Sequence, residues 1–297
     1  MRHDPIIAPA SDKAVERWST QLLEQGYVVI PDLVPTAEIA ALDADLAGAF
    51  ADTPFCDGLF YGRRTKRFGR LLTRSDRAAT LVQHDLILGI TERILRPFCD
   101  VIQLNLTQAI ALHPGALPQL PHRDQDMWRG ETGRIEYLVN VMWPLTDYNS
   151  ENGATLIWPG SHGDNVGETA PANDPVIAAM SPGTALMFLG STLHGAGGND
   201  SAAVRRGMIV SYCLGWLKPY ENQWLAYPPA VARHFAPDLA ALVGYRQHRP
   251  NLGNFEGQCP SILLGEHDGG PLGAIDALRP DQERLIADFV GAQRRAS

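Results

Sequence analysis

Apolar residues recur at helical spacing in two early stretches of the chain. Behind Ser11, the positions Val15, Trp18 and Leu22 share one face, which predicts a helix capped by Ser11 and ended by Gly26. Tyr27–Ile30 reads as a short strand stopped by Pro31. Thr36 is placed to cap a second helix, in which Ile39, Leu42, Leu46 and Phe50 make one apolar stripe that should pack on the outside of a sheet. The stretch from Thr53 to Ser75 lacks any such period and is aromatic, basic and loop-like; Ser75 is placed to cap a third helix reaching about Leu95.

From Val101 the pattern changes to strands. Runs at Val101–Leu112, Ile135–Trp143, Ala154–Trp158, Thr184–Leu189 and Gly207–Leu217 are each bounded by Pro, Gly, Asn or Asp. Helices first and strands later, with no βαβ alternation, predict a mostly-β sandwich or jelly roll with a helical flank. The chain is accordingly read as a single domain. Residues 1–100 form the flank with a lid loop, 101–220 the jelly-roll core and 221–297 a C-terminal extension. Between Asp174 and Asp200 no residue carries a formal charge, yet Pro175, Pro182, Gly183 and Gly190 interrupt that window, so it predicts two buried strands and a turn and not a membrane span.

Composition narrows the function classes. The 297 residues are 45% hydrophobic, enough for a full core, and the 28 Gly and 22 Pro favour a turn-rich sheet architecture over a bundle. The net charge is −8 and the basic residues form no run, which argues against nucleic-acid and anionic-membrane partners. Cys56, Cys99, Cys213 and Cys259 lie far apart and read as reduced thiols. With no apolar core in the first ten residues to suggest a secretion signal, a cytoplasmic protein is expected.

One segment carries metal chemistry on its face, Gln119-Leu-Pro-His122-Arg-Asp124. In an extended chain alternate side chains point the same way, so His122 and Asp124 can reach one ion. His194 ends the buried strand region, in His194-Gly-Ala-Gly-Gly-Asn199. A jelly roll that brings it beside His122 makes a 2-His-1-carboxylate face, which suits Fe(II) and leaves positions open for other ligands. Arg205, at the entrance to the last strand, is a candidate partner for a carboxylate cosubstrate, and Arg206 beside it should point the opposite way. Gln119 is a neutral donor three residues before His122. Taken singly, each of these residues is as well explained by core packing or a surface ion pair.

Together with Gly26-Tyr-Val-Val-Ile30 and Asn152-Gly-Ala-Thr-Leu-Ile-Trp-Pro-Gly-Ser-His162, these motifs make the chain resemble the phytanoyl-CoA dioxygenase-like Fe(II)/2-oxoglutarate oxygenases along almost its whole length. Phe60-Tyr-Gly-Arg-Arg-Thr-Lys66-Arg-Phe-Gly and the triplet His122-Arg-Asp124 resemble most closely the branch acting on secondary metabolites such as alkaloids and terpenoids. The resemblance implies a double-stranded β-helix of the cupin-like, jelly-roll type. It implies His122, Asp124 and His194 as iron ligands, Arg205 on the distal carboxylate of 2-oxoglutarate, and Gln119 and Thr155 as further cosubstrate contacts. Asp124 stands where related halogenases carry a small residue, so halogenation is not expected.

The expected activity is oxidation of a C–H bond in a small, apolar metabolite, using O2 and releasing succinate and CO2. Phe60, Met127, Trp128, Met142, Trp158 and Trp216 are candidate pocket residues, about a third of them touching substrate. Lys66, Arg67 and Arg70 would lend positive charge to a lid. Two other readings remain open: a non-catalytic jelly-roll protein that binds a small molecule, and a cupin-like metalloenzyme that does not use 2-oxoglutarate. The partner expected is a small-molecule substrate, with no nucleic acid and no membrane, and the sequence leaves room for a homodimer.

Overall fold

The computed structural model describes residues 10–167, 174–267 and 269–296. The polar opening read over residues 1–9 lies outside them. Helix α1 (Asp12–Gln25) has Ser11 as its cap, accepting from the amide of Ala14, and Gly26 ends it at φ 83°, a conformation that favours glycine. Helix α2 (Thr36–Asp52) buries Ile39, Leu42, Leu46 and Phe50 as the spacing predicts. Thr36 is its first helical residue, however, and Pro35 holds the cap position. The single helix expected after Ser75 is two, α3 (Asp76–Val82) and α4 (Asp85–Leu95), with Gln83 and His84 between them.

The main sheet has six antiparallel strands in the order β1 (Tyr27–Ile30), β7 (Ala185–Leu189), β4 (Leu138–Pro144), β9 (Arg205–Leu214), β3 (Ile102–Leu112) and β2 (Thr65–Phe68). A smaller sheet has the order β6 (Val176–Ala178), β5 (Thr155–Ile157), β8 (His194–Ala196). The neutral window thus holds three short strands where two were expected. The sheet also does not begin at residue 101, because β1 and β2 form its two edges. Strand β2 was hidden inside the basic loop: Thr-Lys-Arg-Phe has no apolar alternation, and its register against Leu112–Ala109 of β3 defines it.

The two sheets make a jelly roll, and alternation along the middle of the central strands divides its core between two faces. On the outer face Ala109, Ala111, Val139, Val141, Trp143, Met187, Met208, Val210 and Tyr212 pack with the stripes of α1, α2 and α4. On the inner face Ile110, Met142, Leu186, Phe188 and Ile209 meet Ala154, Ile157 and Ala178 of the small sheet. Short helices α5 (Gln223–Ala226), α6 (Pro229–Ala232) and α7 (Pro237–Leu242) add Tyr227, Leu239 and Tyr245 to the outer layer, and the chain closes with α8 (Pro280–Ala296). No helix among the described residues is long and apolar enough to cross a membrane.

Candidate metal centre

His122 and His194 face each other across one antiparallel bridge. The amide of His122 donates to the carbonyl of His194 at 2.9 Å, and the amide of His194 returns the bond at 3.0 Å. Directly opposed residues send their side chains to the same face, so the ring centroids lie 4.4 Å apart. The segment before Asp124 is in effect one more edge on the small sheet.

Asp124 opens a short 3-10 helix (Asp124–Met127) and closes the triad. Its Oδ1 is 3.4 Å from Nε2 of His122 and its Oδ2 is 3.6 Å from Nε2 of His194. Nδ1 of His122 bonds the carbonyl of Leu120 at 2.9 Å and Nδ1 of His194 bonds that of Thr192 at 3.0 Å. A backbone carbonyl can only accept, so each Nδ1 donates and each Nε2 is the nitrogen turned to the centre. Asn140, on the inner face of β4, donates to Asp124 Oδ2 at 2.9 Å and fixes the carboxylate's orientation. One ligand atom from each of the three residues lies within 4.8 Å of the others, a group able to hold a metal ion.

The electrostatics are those of a shared charge. Burial pushes Asp124 up, but the nearby His194, the hydrogen bond and charge of His122 and the Asn140 amide outweigh it and hold the carboxyl at about 2. Burial lowers His122, and the hydrogen bond and charge of Asp124 more than reverse this, so its pKa is raised. In His194 burial wins and the pKa falls, keeping a neutral imidazole.

The triad opens on a cavity of about 590 Å³ between the sheets. Arg205 lies in its wall, 3% exposed, with its guanidinium 4.3 Å over the ring of Tyr148. Its Nε has no hydrogen-bond partner, and no carboxylate among the described residues pairs with it. Gly207 makes the platform possible, since a Cβ there would collide with the Tyr148 hydroxyl. Arg206 leaves the other side of β9 and pairs with Asp43 through two bonds of 2.7 and 2.5 Å. Gln119 and Thr155 both line the cavity, Gln119 with its amide on Ala196 and Thr155 in β5.

Of the three lid cations, only Arg67 lines the cavity. It donates to Gln108 at 3.1 Å, lies 4.9 Å over the Tyr61 ring and, like Arg205, has an Nε without a partner. Lys66 instead donates to the carbonyls of Phe50 and Ala51 at the end of α2, and Arg70 to that of Ala226. Among the aromatic and sulfur candidates, Phe60, Met127 and Met142 line the cavity and Trp128, Trp158 and Trp216 do not. The indoles of Trp128 and Trp216 peg the carbonyls of Lys218 and Phe98. The lid loop places Phe60 edge-on against His122 at 4.9 Å, and the hydroxyl of Tyr61 meets that of Tyr220 across the mouth.

Sequence reasoning missed Asn140, Tyr148 and Tyr220. Parity along Leu138–Pro144 puts Asn140 on the same face as Met142, a polar residue within an apolar strand, and that was the available signal. Nothing local marks Tyr148 or Tyr220.

The chain is similar to known proteins in sequence and in fold. Residues 22–207 match the family described as phytanoyl-CoA dioxygenase (PhyH). Dioxygenase trt7 of Aspergillus terreus (strain NIH 2624 / FGSC A1156) is 29% identical, the match covering 82% of this chain and 87% of that protein. Dioxygenase FrzG of Cladobotryum sp is 31% identical, over 70% of this chain and 74% of that one. Among solved structures, the non-heme alpha ketoglutarate dependent epimerase SnoN from nogalamycin biosynthesis superposes with a TM-score of 0.58 at 21% identity. That superposition covers 69% of this chain and 85% of SnoN.

Proposed function

The chain belongs to the phytanoyl-CoA dioxygenase family of iron- and 2-oxoglutarate-dependent enzymes, and on that premise we propose that it oxidises a C–H bond of a small, largely apolar metabolite with release of succinate and CO2. The observation that carries this reading is one cavity in which a 2-His-1-carboxylate group sits beside a buried guanidinium without a carboxylate. The donor set fits iron, since both Nδ1 atoms are tied to carbonyls and both Nε2 atoms face Asp124. The orphaned Nε of Arg205 fits the distal carboxylate of 2-oxoglutarate.

In this reading His122, Asp124 and His194 hold the metal, Arg205 takes the distal carboxylate, and Gln119 and Thr155 flank the cosubstrate. Arg67 adds positive charge on the same sheet face, two strands from Arg205. When bound, iron, 2-oxoglutarate and O2 supply the oxidising power that removes a hydrogen atom from substrate carbon. The protein's own residues orient and exclude. Asn140 keeps Asp124 aimed at the centre, while Phe60 and the Tyr61–Tyr220 contact cover the mouth and limit water. Leu59, Phe60, Leu117 and Met127 are exposed around that opening, which supports an apolar substrate.

The test is formation of succinate from 2-oxoglutarate by the iron-loaded protein. Iron-dependent succinate supports the reading, whereas metal binding with no consumption of 2-oxoglutarate favours a metalloenzyme of another kind. No metal binding at all favours a small-molecule binding protein. For the homodimer that the sequence leaves room for, the supporting surface is α8, whose Leu285, Ile286 and Phe289 are exposed. A monomer in sedimentation at high protein concentration would remove it.

A further inference from the structure

His122 and Asp124 reach the centre from one segment and His194 from another, so their separation depends on how the two segments are joined. The residue between the first two ligands must point away from them. Arg123 does so, into protein, and is 8% exposed. Its Nε donates to the carbonyl of Ser191 at 3.0 Å and its Nη2 to that of Ser161 at 3.1 Å.

One acceptor belongs to the turn that presents His194, and the other belongs to a segment bonded to that turn. Ser191 lies three residues before His194. Ser161 reaches it through the amide of Leu193, which donates to Ser161 Oγ at 2.9 Å. The same turn is held from two other sides. Glu136 accepts from the amide of Ser191 at 3.4 Å and from its hydroxyl, and Gly190 accepts from the amide of Gln125 at 3.1 Å. Arg123 is therefore a planar two-nitrogen strut between the ligand segments.

We propose that Arg123 is a positioning residue that sets the distance between the His122–Asp124 pair and His194, and so the affinity of the centre for its metal. This rests on the reading of those three residues as ligands. A ligand atom displaced by a fraction of an ångström loses metal affinity even where the fold is unchanged, and groups that orient ligands are commonly worth about ten- to a hundredfold in affinity. A guanidinium differs from an ammonium here, because Nε and Nη2 are two separate nitrogens fixed in one plane, which lets them reach carbonyls of two different segments, whereas an ammonium must serve both from one nitrogen.

The experiment compares Co(II) binding by wild type, Arg123→Lys, Arg123→Met, Ser191→Ala and His122→Ala, with melting temperature measured alongside. Arg123→Lys should stay folded and bind Co(II) about tenfold or more weakly, with Arg123→Met weaker again. Ser191→Ala keeps the carbonyl that Arg123 uses and should bind more tightly than either. Raising the metal concentration should restore the turnover number of Arg123→Lys, since only occupancy is altered. Wild-type affinity in a folded Arg123→Lys overturns the proposal and leaves the ligand assignment standing. Equal Co(II) binding by wild type and His122→Ala overturns the ligand assignment, and the strut with it.

Discussion

The two faces of the six-stranded sheet are written by the same strands and differ in what they are asked to do. Along β9 the outward residues Arg206, Met208, Val210 and Tyr212 pack with helices, while the inward Arg205 and Ile209 line the cavity. Along β4 the outward Val139, Val141 and Trp143 are fully buried, and the inward Asn140 and Met142 reach the site. The outer face is filled for volume. The inner face keeps space and leaves polar atoms unmatched, among them Nε of Arg205, Nε of Arg67 and Oδ1 of Asn140. Orphans exist outside as well, at His84 and Trp143, but these sit against one another in packed protein, with ring centroids 6.1 Å apart. An unmatched group beside a cavity can be matched by a ligand; one sealed in packing cannot.

The strongest way to break this contrast is to empty one face at a time. His122→Ala, Asp124→Ala and His194→Ala should each reduce metal-dependent succinate formation to background while the melting temperature stays near wild type. Trp143→Ala, on the outer face of the same sheet, should cost about 3–5 kcal/mol of stability. Activity per folded molecule should be retained below its melting transition. Denaturant unfolding and turnover measured on the same samples decide it. A ligand variant that unfolds, or a folded Trp143→Ala without activity, would show that the two faces are not separable.

Neighbouring arginines give the next test. Arg205→Ala should weaken 2-oxoglutarate by about 2–5 kcal/mol in apparent affinity, the scale for losing a buried charge-assisted pair. Arg206→Ala breaks a pair with Asp43 that is partly exposed, at 33% and 20% of the two side chains. Its effect should be a stability loss of about 1 kcal/mol after solvent screening, with the 2-oxoglutarate requirement unchanged. Equal effects on that requirement would mean Arg205 does not bind cosubstrate.

Much of this was legible beforehand, for a physical reason. Periodicity and turn residues report which face is buried, so the α2 stripe and the strand that carries Arg205 could be read from spacing. Strand β2 could not be read, because a polar edge strand is defined by its partner and not by its own pattern. The same holds for the break at Gln83–His84 and for the contacts between Asn140 and Asp124. The tryptophans misled because their size argues for burial near a site, whereas the indoles of Trp128 and Trp216 are anchored by single bonds to surface carbonyls. Of the basic cluster in the lid, composition gave the charge but not its direction. Lys66 caps a helix end, whereas its neighbour Arg67 lines the cavity.

A smaller effect is expected at the mouth. Leu59, Phe60 and Tyr61 form a tip between Gly58 and Gly62, at φ 99° and 83°, and these glycines favour a hinge on either side. Phe60→Ala should raise the substrate KM several-fold and increase succinate formed without substrate oxidation, leaving metal binding intact. Hydrogen exchange should show added protection of amides 58–64 once substrate is present. Unchanged exchange and unchanged coupling would make this loop a plain connection, and the inner face would then end at β2.

The smallest effect tests whether burial of an acid at the metal end destabilises the fold as pH rises. Glu136 is 9% exposed, and burial raises its carboxyl above the ordinary 4.5 against the opposing hydrogen bonds from Ser191. A raised folded pKa means the native state holds this proton more tightly than the unfolded chain. Its contribution to stability is therefore complete below pH 4.5 and is lost as pH rises through the folded value. Glu136→Gln keeps the shape and a partner for Ser191 but has nothing to ionise. Melting temperature should consequently fall less steeply with rising pH in Glu136→Gln than in wild type across the weakly acidic range, and the two curves should separate in favour of the variant at neutral pH. Parallel curves would mean the acid ionises freely where it sits, its charge accommodated by the hydrogen bonds of Ser191. In that case the inner layer at this end tolerates charge in its own right, and the unmatched polar atoms along the cavity would count as no special mark of a ligand site.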